Sequence, residues 1–518
     1  MLKSYLLLAL RQLAAQKLYA LINVAGLAVG IACCLLIGLF VRHELGYDRF
    51  YRNSDRIYRV SSDTFSVNGR PETHRASAPP AITQVLKDTF PEIEQIARMS
   101  KCGAAGGGAM ISSDKLSSYE PGFTSADNEM FKVFDFQWLR GDPATALTRP
   151  YTAVITESAA LRYFGGVNEA FGNTLRLEVN ANPFEVVGVI RDLRPDTHLD
   201  FSVMVDFLFG AAPQGMLSSW GLNCFHTYLL LREGATIDAI RAGSERLYGS
   251  HFLEGSVVGA GYTVTPITDI HLRSNRQGEM RPPGSAATVY AFAAVAAFIL
   301  LIACVNFMNL ATARAAQRAK EVGLRKSIGA RRSQLVGQFL GESVLLACVA
   351  TFCAVGLALL AKPIFSELIE QPLELGGIGV ALPLALVALA AVVGLAAGSY
   401  PAFYLAAFKP ARVLKGDATR SSGAAQFRRV LVVLQFAISI ALVIATVIVF
   451  EQTRFARNIE LGYDKEQVVV LTGAPTRGLG QQWPTMKQAL LAEPEIVAVS
   501  ASSAPPGNPY GTNNISVR

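Results

Sequence analysis

What the chain lacks narrows its function first. Its 518 residues contain no GxxxxGK[ST] phosphate-cradling loop, no HExxH or HxH pair and no GxSxG nucleophile elbow. The glycine-rich GAAGGGAM (103–110) has no lysine to reach a phosphate and reads as a flexible loop. Histidine is scarce, and the six present, His43, His74, His198, His226, His251 and His271, share no metal-ligand spacing. They read as solvated or hydrogen-bonded residues, so no metal, cofactor or catalytic residue is expected. Charge is scarce too, at 17% of residues against 51% hydrophobic, with mean hydropathy +0.32. That is too apolar for an ordinary soluble enzyme and too charged for a bundle of bare spans, so the chain should be part membrane and part water-facing domain.

A bilayer core of about 30 Å needs roughly 20 apolar residues in a helix. Residues 18–41, 286–313, 335–361 and 430–450 pass that test cleanly. A fifth apolar region, 378–408, carries Pro383 and Pro401 and reads as one kinked or tilted span. The first run is longer than a signal-peptide core of about 7–15 residues and has no small-x-small cleavage site after it, so it reads as an uncleaved anchor.

Lysine and arginine set the orientation. They cluster before the first span (Lys3, Arg11, Lys17), between the second and third, and between the fourth and fifth (Lys409, Arg412, Lys415, Arg420, Arg428, Arg429). These regions should be cytoplasmic. Residues 42–284 and 451–518 are then outside, and the net charge of +7 follows from topology, without nucleic acid as a partner.

Of seven cysteines, Cys33, Cys34, Cys304, Cys348 and Cys353 fall in spans. Cys102 and Cys224, about 120 residues apart in the outer segment, are a candidate disulfide if that compartment is oxidising. The outer segment mixes both periods. TYLLLRE (227–233), and TLRLEV with PFEVVGVI across NAN (180–182), read as strands, the last two as a hairpin. Residues 78–93 and 236–252 read as helices. The fold class is thus an α-helical membrane protein of about five spans with an inserted α+β extracytoplasmic domain. A basic lead-in, a span and an outer segment recur at 1–60 and 426–470, with LGYD at 45–48 and 461–464.

Within the spans Asn306, Asn309 and Glu342 stand out, because polar groups in hydrocarbon face partners or water. They lie within a few turns of the cytoplasmic face, where Glu342 could reach the nearby arginines, which favours a helix-joining role over a substrate path. The connection RAKEVGLRKSIGARRSQL (318–335) has six basic residues against the single acid Glu321. Val322, Leu324, Ile328 and Leu335 offer a partial apolar side, while Gly323 and Gly329 divide it. One reading is a lipid-headgroup anchor. The other is a protein-docking element, supported by the Glu321–Arg325 spacing and the small residues Gly323, Gly329 and Ala330.

RAKEVGLRKSIGARRSQLVGQFLGESVLL resembles the signature of MacB/FtsX-type ABC transporter permeases, and SYPAFYLAAFKPARVLKG (399–416) resembles the end of that family's last span. YDRFYRNSDRIYRV (47–60), ADNEMFKVFDFQWLRGDPATAL (126–147), AVITESAALRYFGG (153–166) and PITDIHL (266–272) are similar to its outer domain. The resemblance implies an amphipathic lead-in helix (1–17), an outer MacB-like core domain (42–284) between the first two spans, and a coupling helix (314–334). It further implies a linker (409–429) and the start of a second unit at the fifth span, whose outer domain (451–518) is incomplete.

ATP hydrolysis is expected on a separate ABC ATPase dimer, not on this chain. The family's coupling helix docks on that ATPase, which places Lys320, Glu321, Val322, Gly323, Arg325, Lys326, Gly329 and Ala330 at the contact. Membrane lipid and a periplasmic adaptor are the other expected partners. The implied function is a permease subunit of an inner-membrane ABC export system, transmitting ATPase motion to outer domains through the first two spans. The alternative is a signalling complex acting on an envelope partner without transport.

Overall fold

A computed structural model describes residues 17–65, 71–100, 108–177, 182–207, 214–243, 260–313, 322–369, 371, 381–406, 422–459, 467–471 and 479–501. The lead-in at 1–16, the linker at 409–421, the second LGYD and most of GAAGGGAM lie outside the described residues. The chain divides into two compact units. One holds residues up to Leu45 and from Ala286 to Tyr463; the other is built mainly of Gly46–Ser285.

Five helices in the first unit are long and apolar enough to cross a membrane. They are α1 (Lys17–Leu45), α2 (Ala286–Ala313), α3 (Arg332–Leu368), α4 (Ala381–Ala406) and α5 (Ser422–Asn458). The 37-residue α3 is about 55 Å long at 1.5 Å per residue and outruns the apolar stretch that marks it in sequence. Hydropathy sees only the part of a helix that meets lipid. In α4, Pro383 falls in the first turn, where its missing N–H breaks no bond, and the helix runs on through Pro401.

α1 to α4 share one core. Leu27, Ile31 and Ala32 of α1 meet Cys304 and Phe307 of α2, Leu346, Ala347 and Ala350 of α3, and Val393 and Ala397 of α4. Small residues set the spacing: a Cβ on Gly394 would lie 2.6 Å from Val344 Cα, and one on Gly398 2.5 Å from Ser343 Cβ. α4 therefore lies against α3 backbone to backbone, the arrangement by which van der Waals contact joins helices in lipid. No described side chain of α5 is buried.

The second unit carries 13 strands among its described residues: β1 (Ile57–Phe65), β2 (Pro71–Arg75), β3 (Ile93–Ser100), β4 (Ala109–Ser112), β5 (Ser117–Glu120), β6 (Phe123–Ala126), β7 (Trp138–Arg140), β8 (Thr152–Thr156), β9 (Thr174–Leu177), β10 (Pro183–Ile190), β11 (Val203–Asp206), β12 (Phe225–Leu231) and β13 (Ala260–Pro266). Their order is β13-β1-β12-β3-β6-β11-β8-β10-β9-β4-β5, with β2 on β1 and β7 on β10. β8 with β10 and β6 with β11 are parallel; the other pairs are antiparallel. β9 and β10 pair in the expected hairpin register, Pro183 opposite Arg176.

The helix expected over 78–93 spans only Ile82–Thr89. Pro91 holds Phe90 extended, at φ −120° and ψ 100°, so the chain leaves the helix there and starts β3 at Ile93. Of the helix expected over 236–252, Asp238–Ala242 is helical, and 244–252 lies outside the described residues.

Candidate coupling site

Of the 318–335 connection, residues 322–327 are helical and run into a turn. Ile328 N–H donates to Leu324 O at 3.2 Å and Ala330 N–H to Arg325 O at 3.0 Å, while Gly329 takes φ +98°. That left-handed conformation suits glycine and lets the chain reverse into α3. A Cβ at Gly329 would meet open space, so a side chain there is disfavoured by the backbone and not by crowding.

Val322 is the anchor. It is 1% exposed and packs with Leu335 and Phe339 of α3 and Ala402, Leu405 and Ala406 of α4. Gly323 beside it is also buried, and Ala330 half-buried. Arg325 Nη1 donates to Gln338 Oε1 of α3 at 2.7 Å, and Gln338 Nε2 donates to Glu342 Oε1 at 3.1 Å. Lys326 Nζ donates to the carbonyl of Ala406 in α4 at 2.7 Å. Burial, and then the charge of Arg332, hold the Lys326 ammonium below the usual lysine range.

The apolar side read from sequence is divided. Val322 and Leu335 face the helix core, but Leu324 and Ile328 are 58% and 79% exposed. Lys320 and Glu321 lie outside the described residues, and with them the expected Glu321–Arg325 pair. Sequence reasoning missed Gln338 and the Ala406 carbonyl. Gln338 sits four residues before Glu342 on the same helix face, a signal that could have found it.

In the second unit, the segments that lead from α1 and toward α2 are tied to one loop, Arg194–Asp200. Asp48 N–H donates to Asp196 O at 2.9 Å. The Asp48 carboxylate accepts from Thr197 Oγ1 at 2.6 Å and from His198 N–H at 3.2 Å, and lies 2.8 Å from His198 Nδ1. His198 Nε2 is 2.9 Å from the hydroxyl of Tyr228 in β12. Tyr47 stacks flat on His271 at 3.4 Å, and Arg281 donates to Pro195 O at 3.0 Å.

The other motif residues are structural as well. Arg59 is buried in an ion pair with Glu279, Arg98 grips Asp127, and Asn128 bonds the 143–147 turn through both its carbonyl and its amide. Thr156 accepts from Ala159 N–H to cap the helix Glu157–Phe164. No described group of three or more His, Cys, Asp or Glu residues has metal-binding geometry.

Cys102 lies outside the described residues, and Cys224 is not among the free thiols. β3 ends at Ser100 opposite Phe225, and Ser100 Oγ donates to Cys224 O at 3.2 Å. Cys224 directly precedes Phe225 and Cys102 follows Ser100 by two residues, and on this register we propose that they pair. In protein from an oxidising compartment, denaturing alkylation without reductant should leave both unlabelled; labelling of both would remove the bridge.

The fold defines a multi-span membrane protein with a large domain inserted between its first two spans. The MacB-like periplasmic core domain family matches residues 20–247, and the FtsX-like permease C-terminal family matches 293–411. The chain belongs to the MacB/FtsX-type ABC transporter permeases and is a multi-pass inner-membrane protein.

The macrolide export ATP-binding/permease protein MacB of Chlorobium luteolum is 26% identical over 347 residues, 65% of this chain and 49% of that protein. The uncharacterized ABC transporter permease YknZ of Bacillus subtilis is 28% identical over 183 residues, 35% of this chain and 41% of that protein. A crystallised domain of a permease protein from Porphyromonas gingivalis is 20% identical with a TM-score of 0.37, covering 42% of this chain and 92% of that one. The chain spans half or less of the length of these curated relatives.

Proposed function

We propose that the chain is the permease subunit of an ABC export system, driven by a separate ATPase dimer that docks on the 318–335 segment. The observation that carries this reading is the division of the segment's apolar residues. Val322 is spent on the permease's own core, while Leu324 and Ile328 remain exposed beside Arg331 and Arg332. An apolar pair rimmed by arginines, on a segment anchored from behind, has the composition of a protein-docking patch.

Motion of this segment would pass to α3 and α4, which hold it, and through their shared core to α1. α1 runs in sequence directly into Tyr47 and Asp48. The outer domain would then follow α1, handling cargo outside the membrane, with a periplasmic adaptor as a further partner. Lipid contacts the outward faces of the spans. Affinity purification of the tagged chain from native membranes should bring down an ABC ATPase in stoichiometric amount. Recovery without any ATPase, under conditions where the chain stays folded, would contradict the reading.

A further inference from the structure

Between the coupling segment and α3 lies a chain of three polar side chains that packing alone does not require. Arg325 has only donors and Glu342 accepts through Oε1, so the Gln338 amide between them can satisfy both in one orientation, Oε1 to the guanidinium and Nε2 to the carboxyl oxygen. Gln338 is 6% exposed, so either half of its amide left unpaired would be costly. Glu342, one turn deeper along α3, fixes the amide and so presents its oxygen to Arg325. On the other flank, Lys326 is bonded to the Ala406 carbonyl of α4.

We infer that Gln338 and Glu342 are positioning residues that latch the coupling segment to α3 through Arg325, so that its movement is delivered to the α3–α4 pair. This rests on the reading of 318–335 as the coupling element, but the latch can be measured without the ATPase.

In inside-out membrane vesicles, the rate of tryptic cleavage after Lys326, whose ammonium is held by the Ala406 carbonyl, reads how readily the segment lifts away. Wild-type chain should be cut slowly. Gln338→Leu, which keeps the volume and removes both bonds, and Glu342→Gln, which removes the charge that orients the amide, should each speed that cut about tenfold or more, as expected for loss of a charge-assisted buried hydrogen bond.

The double exchange Gln338→Glu with Glu342→Gln should return the rate to within about threefold of wild type, because the carboxylate now at 338 accepts from Arg325 and the amide now at 342 donates to it. A residue needed only for packing would show no such rescue. Single variants cut at the wild-type rate, or an exchange no better protected than the singles, would overturn the latch. If the rescue holds but no ATPase associates with wild-type chain, the latch stands and the coupling reading fails. The single variants leave Leu324 and Ile328 untouched, so they should retain ATPase association.

Discussion

Asp48→Ala is expected to destabilise the extracytoplasmic domain by about 3–5 kcal/mol, the range for removing one member of a buried charged network. Domain stabilities lie at about 5–15 kcal/mol, so this is a large fraction of the whole. The carboxylate is fully buried and accepts from Thr197 and His198, and its loss strands those donors away from water. A second cost adds to the first. Asp48 sits at φ +58°, a left-handed conformation that aspartate and asparagine tolerate better than alanine.

Asp48→Asn keeps the conformation and an acceptor oxygen, so it should cost only about 1–2 kcal/mol, the share due to charge. Thermal unfolding of the detergent-solubilised chain, followed by protease sensitivity within residues 46–285, measures both. Equal transition temperatures for wild type and Asp48→Ala would mean that the Arg194–Asp200 loop is not held through this residue.

The parts of the molecule readable in sequence are those governed by local period. Long apolar runs announced α1 to α5, and short apolar runs bounded by turn residues announced β10 and β12, because lipid and sheet each impose a pattern on consecutive residues. Helix ends were harder. α3 starts at Arg332 and runs to Leu368, since a helix continues into water where hydropathy has already stopped marking it.

Interactions between distant residues were not readable. Asp48 meets His198 across 150 positions and Lys326 meets Ala406 across 80, and nothing near either member signals the other. The coupling segment was a mixed case. Its basic charge and glycines were plain, but which apolar residues point inward depends on where α3 and α4 pass, so Val322 and Leu324 looked alike. Five of the family motifs are now intelligible as contacts: Asp48, Arg59, Asp127, Asn128, Thr156, His271 and Val322 each hold a neighbour in place.

Truncating the exposed pair should have the largest functional effect. Central interface contacts cost about 2 kcal/mol or more when cut to alanine, or roughly 30-fold in affinity each. Leu324→Ala with Ile328→Ala should therefore release the ATPase while leaving Val322 buried and the chain inserted. A lipid anchor makes the opposite demand. There each arginine contributes about 1 kcal/mol through charge alone, so Arg331→Lys with Arg332→Lys would be neutral on either account and serves as the control. The deciding measurement is ATPase copurification and ATP turnover in membranes carrying the two double variants. The coupling account predicts loss of both for the alanine pair and retention of both for the lysine pair; full association and turnover with the alanine pair would contradict it and leave 318–335 as a lipid anchor.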